Sequence, residues 1–170
     1  MKKIFLLLLF FFNFDITFAE NKLAYININH IINNSIVGQS ITEHIQNIKQ
    51  KQIDEFKIVE KKLATKEQDL FKKKNIIEKD EFEKQADILK KEILNYGKEK
   101  KKFNDEIEKK KIKYTKKILD ALNPIVSSYV EKNEILIVFS KTNIVIAKKN
   151  LDITIPVMNL LNDQLSKIDF

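Results

Sequence analysis

The residues of this chain with most capacity for chemistry are its lysines. There are 31 of them in 170 residues, with no arginine, against 24 carboxylates, for a net charge of +7. They crowd in three places: Lys72, Lys73, Lys74 and Lys79; Lys98, Lys100, Lys101 and Lys102; and Lys109, Lys110, Lys111 and Lys113. An ammonium is a flexible, strongly hydrated point charge, suited to many weak contacts with anions. The planar guanidinium that grips phosphates and base edges in bidentate fashion is missing. These lysines are therefore candidates for holding acidic polypeptides or anionic headgroups, and sequence-specific nucleic-acid recognition is not expected. For any single lysine the plainer role is solubility. Abundant Lys, Ile, Asn and Phe also match a codon-biased genome, which accounts for Lys in place of Arg but not for the positive excess.

The other reactive types do not assemble into a catalytic pattern. His30 and His44 are the only histidines, and neither has a partner at metal-ligand or triad spacing. Two glycines are too few for a phosphate-cradling loop. The carboxylates alternate with lysines, as on a solvated helix face with pairs four residues apart. There is no cysteine, hence no disulfide, thiolate metal site or lipid-bearing thiol. No enzymatic activity and no cofactor are expected, so a binding cycle would run without nucleotide.

The elements that carry the lysines are long. From Ser40 the apolar positions run Ile41, Ile45, Ile48, Phe56, Val59, Leu63, Leu70; they return as Phe82, Ala86, Leu89, Ile93, Tyr96, Phe103, Ile107, Tyr114, Ile118, Ile125 and Tyr129. Steps of three and four sustained this far mark helices with one narrow apolar seam. Two such helices zip together as a hairpin, the first over about 39–74 and the second over 80–131, with a tip at 75–79. Asp80, with Glu83 three residues on, is the expected cap of the second helix. Ile76 and Ile77 are expected to pack at the tip against Phe71 and Phe82. Gly97 and Pro124 are the hinge candidates, since a proline inside a helix should kink or restart it.

The two ends of the chain read differently. Lys2 and Lys3, the nine-residue apolar run Ile4–Phe12 and Thr17-Phe18-Ala19 form a cleaved secretory signal over residues 1–19. Lys22–Asn29 reads as a strand, with Ser35 and Gly38 at a turn before the arm. Ile135–Phe139 is an unbroken apolar run typical of a strand buried on both faces. Ile144–Ala147 reads as its hairpin partner. A final helix opens after Asp152 or Thr154, with Val157, Leu160, Leu161 and Leu165 on one face. Such strands expose apolar edges that invite pairing with another chain. Tyr25, Ile26, Ile28, Leu136, Val138, Phe139, Ile144 and Ile146 are the oligomerisation candidates.

The order of these parts resembles the Skp (OmpH) family of periplasmic chaperones. The likeness rests on the signal, on Lys22-Leu23-Ala24-Tyr25-Ile26-Asn27 followed by Ser35 and Gly38, on the charged hairpin, on Ile135–Phe139 and on Asp152-Ile153-Thr154. It implies an α+β fold, a jellyfish-like homotrimer whose β-rich body (20–38 plus 124–170) carries helical arms (39–123). It also implies a holdase that shields unfolded outer-membrane β-barrel proteins in a cavity between the arms, in the periplasm and without ATP. The absence of Arg means that no arginine-based lipopolysaccharide site carries over; anionic lipid or lipopolysaccharide enters only as a partner of lysine charge. The alternative is a structural or adaptor coiled coil of the envelope that binds one folded partner.

Overall fold

The computed structural model describes residues 22–170, so the expected signal at 1–19 lies outside the described residues. Strand β1 (Lys22–Ile26) leads through helix α1 (Ile28–Asn34) into the long helix α2 (Ile36–Lys73). A short tip reverses the chain into α3 (Lys79–Lys132), which returns it to strand β2 (Ile135–Ser140) and, after two single 3-10 turns, to helix α4 (Thr154–Gln164). At about 1.5 Å per residue, the 38 residues of α2 extend roughly 57 Å and the 54 of α3 roughly 81 Å.

The entry into the arm is fixed by small residues. Asn27 ends β1 because its side chain accepts the His30 N–H and caps α1. Ser35 is extended and caps α2 by accepting the Gly38 N–H at 3.2 Å. Gly38 lies against the end of α1 so closely that a Cβ there would stand 1.9 Å from the Ile32 carbonyl oxygen. This contact is why the residue is glycine; its φ is not positive. Strand β1 is therefore shorter than expected, and the residues after it form two turns of helix.

The two strands pair in parallel, Tyr25 opposite Phe139 and Ile26 opposite Ser140, with the whole arm as their crossover. Beneath them sits one core. Ala24, Ile26, Ile31, Val37, Ile41 and Ile45 pack with Ile107, Tyr114, Ile118, Leu122 and Ile125 of α3 and with Ile153, Val157 and Leu161. The core thus reaches past 38 and below 124, into the roots of both arm helices.

Several expectations are corrected. The sheet has two strands, not three: Ile144–Ala147 forms no strand, and Val145 and Ile146 are almost fully exposed. β2 is not buried on both faces; Leu136 is 64% and Phe139 44% exposed. Helix α3 starts at Lys79 with Glu78 in the cap position and no side-chain cap, so Asp80 is a first-turn residue instead. The helix neither ends nor restarts at Pro124. Pro124 faces solvent, where water can satisfy the carbonyl left without its partner, and the Asn123 carbonyl accepts the Ser127 hydroxyl at 3.1 Å. At the tip, Phe71 and Ile76 are 72% and 78% exposed and do not close it, whereas Ile77 and Phe82 are half-buried.

Candidate functional site

The seam holds the arm in one antiparallel register from root to tip. Phe56 meets Phe103 edge to face at 5.8 Å and Tyr96 at 5.6 Å. Further out, Lys66 bonds Glu92 at 2.7 Å. Towards the tip burial thins: Leu89 is buried, but Ile88, Ile93 and Leu94 are exposed. A shallow apolar groove lined by Leu70, Phe71, Phe82, Leu89, Ile93 and Leu94 runs along this outer part. Ile93 was expected in the seam and lies at its edge.

The three lysine groups are strung along the arm. Lys72 and Lys79 pair on their own helices with Asp69 and Glu83. Lys73 and Lys74 stand exposed where α2 ends, and their charge suits the negative end of the helix dipole. In the second group Lys101 and Lys102 pair with Asp105 and Glu106. Lys100 bridges to Glu60 on the other helix at 3.0 Å, with its ammonium 5.4 Å from the Tyr96 ring centre. Lys100 is therefore an arm clamp, a role spacing along one helix does not reveal. In the third group, near the root, Lys111 pairs with Glu108 at 2.7 Å. Among the described residues, Lys73, Lys74, Lys98, Lys109, Lys110 and Lys113 have no carboxylate within ion-pair distance.

The clamp shifts its own titrations. Hydrogen bonds from Tyr96 and then Lys100 hold the Glu60 carboxyl below its ordinary value. Burial and the Glu60 contact push the Tyr96 hydroxyl up, and the Glu60 and Tyr96 contacts raise Lys100. At the body, burial works against the charge of Asp152, but the bonds from Thr154 together with Lys141 outweigh it and hold that carboxyl low. Asp152 accepts the Thr154 N–H at 2.9 Å, and the Thr154 hydroxyl accepts the Asn27 N–H at 2.8 Å, joining the start of α4 to the end of β1.

The oligomerisation candidates divide. Tyr25 and Ile26 are buried under their own chain, and Val138 is half-covered against its core. Ile28 opens α1, outside the strand, at the margin of exposure; Ile144 is half-buried. Leu136, Phe139 and Ile146 are exposed, and so are Leu23, Ile137 and Val145, which the strand pattern alone did not single out. Gly97 faces open space. Among the described residues no cluster of three or more His, Asp or Glu could hold a metal ion, and no helix is long and apolar enough to cross a membrane.

A long charged helical hairpin set on a small mixed body, with apolar side chains of one strand left exposed, defines a class of arm-bearing proteins. The sequence profile of the outer membrane protein (OmpH-like) family matches residues 22–161, and the chain belongs to that family. A solved structure from Caulobacter crescentus CB15, described as an OmpH-like outer-membrane chaperone candidate, has the same fold. Its TM-score is 0.79 at 19% identity, covering 89% of this chain and 90% of that one. No curated protein matches the chain.

Proposed function

We propose that this protein is an ATP-independent periplasmic holdase that keeps unfolded outer-membrane β-barrel proteins from aggregating. Copies join through their bodies as a homotrimer, the arm over 39–123 projects from the body formed by 20–38 and 124–170, and the client lies between arms. The observation that carries this reading is the pairing of two exposed surfaces on one chain. Leu136, Ile137, Phe139, Val145 and Ile146 offer apolar area beside the sheet edge, which favours self-association. The arm beyond offers an apolar groove among lysines without partners.

The chemistry suits loose retention. A field of positive charge speeds encounter with acidic segments and is screened by salt. Lysine stems cover apolar client side chains while their ammonium groups stay wet. Anionic lipid or lipopolysaccharide headgroups would be drawn by the same charge. The thin outer seam, with Gly97 at its inner end and Pro124 at the root as flex points, lets the arms spread for clients of different sizes. The test is an aggregation assay with an unfolded β-barrel protein, in which the chain should delay turbidity without nucleotide. Binding to one folded partner with no delay would favour an adaptor instead.

A further inference from the structure

One aromatic cluster at the arm root takes in a residue from outside the arm. The segment after α4, residues 165–170, has no regular secondary structure and crosses the root of the arm. Its Phe170 ring stacks on His44 of α2, with centroids 3.9 Å apart and planes 8° from parallel. The same ring meets Tyr114 of α3 edge-on at 5.5 Å. Lys117 donates to the backbone carbonyl of Asp169 at 3.2 Å. Leu165 and Ile168 rest half-buried against the core. His44 is half-buried and Tyr114 buried, yet Phe170 itself stays 51% exposed.

This is how a peptide is held in a slot: one ring between aromatic walls, and one main-chain carbonyl bonded to a side chain that reads no sequence. We propose that His44, Tyr114 and Lys117 form a binding site for an aromatic residue of an extended polypeptide, and that Phe170 is its resident occupant. Residues 165–170 act as an internal competitor. The segment lacks a helix or strand, and half of the Phe170 ring faces water, so the ring can leave the slot while Leu165 and Ile168 stay packed on the core. The exchanging ligand is an aromatic side chain of an unfolded client, an identification that rests on the holdase reading above. The slot places that residue at the arm root, where the third lysine group also lies.

The experiment uses the full chain and its Phe170→Ala variant. The probe is a fluorescent, N-acetylated, amidated peptide of residues 166–170, with a Phe-to-Ala peptide as control. A tail that fills the slot nine-tenths of the time lowers apparent affinity about tenfold. The variant should therefore bind the probe about tenfold more tightly than the parent and should ignore the control peptide. His44→Ala in the Phe170→Ala background should abolish the gain. Equal probe binding by parent and variant, or a gain that survives His44→Ala, overturns the site. Ring-current shifts of the His44 imidazole protons, present in the parent, absent in Phe170→Ala and restored by the probe, confirm that the variant is folded and locate the probe. An unfolded β-barrel client should displace the probe. A client that is held while the probe stays bound overturns the assignment of clients to this slot and leaves the holdase reading intact. Probe binding without any client retention supports the slot and defeats the holdase reading.

Discussion

Tyr96 of α3 donates a hydrogen bond to the Glu60 carboxylate of α2 at 2.5 Å, across 36 residues of sequence. Lys100, one turn further along α3, reaches the same oxygen. Within this clamp Tyr96 meets the Phe56 ring edge to face, and the Lys100 ammonium lies over both rings. Glu60→Gln or Tyr96→Phe should loosen the arm beyond it while leaving the body intact. Paired spin labels at Glu67 and Lys91, exposed positions on the tip side of the clamp, should broaden in distance distribution in either variant, whereas labels at the root should not.

The clamp also sets a pH dependence. Glu60 has a depressed folded-state value because Tyr96 and Lys100 favour its charge. Its contribution to the hairpin is therefore present above the ordinary glutamate range and is lost as pH falls through the lowered value. Asp152 acts with the same sign at the start of α4. The same distance measurement on the parent chain should broaden on acidification, and much less so in Glu60→Gln.

The two glycines give opposite expectations. An added Cβ at Gly38 meets the Ile32 carbonyl, backbone that cannot rotate aside. Gly38→Ala should destabilise the chain by about 2 kcal/mol or more. At Gly97 a Cβ meets nothing within 4 Å, so Gly97→Ala should stabilise the helix by about 1 kcal/mol. Thermal unfolding of both variants checks the pair.

Lysines with and without partners should part company. Neutralising Lys73, Lys74, Lys98, Lys109, Lys110 and Lys113 to Gln should slow client capture at low salt, with the difference shrinking as salt screens the field. Lys100→Gln should loosen the arm and change capture only through that. Stopped-flow binding at two ionic strengths separates the two effects.

Much of this was legible in the residues, and the failures share a cause. The arm could be read because a narrow seam repeats every three or four positions, and its positions from Ile41 to Leu70 are all buried or half-buried. The body could be read only in part. An apolar run such as Ile144–Ala147 looks the same whether its own chain covers it or another copy does, and here its own chain leaves most of it bare. The helix after Asn27 was masked by the β-branched residues Ile26, Ile28, Ile31 and Ile32, although an Asn at that point is a usable cap signal. The Glu60–Lys100 bridge and the Phe170 stack join residues far apart in sequence, and no local period announces them.

In the proposed assembly, bodies joined through Leu136, Phe139 and Ile146 hold the arms around an unfolded client. Light-scattering mass of the chain at micromolar concentration, without and with an unfolded β-barrel protein, tests it most directly. The parent should show the mass of three chains, rising by one client, and Phe139→Asp combined with Ile146→Asp should show a single-chain mass without client retention. A parent chain that stays single and takes up no client would contradict it.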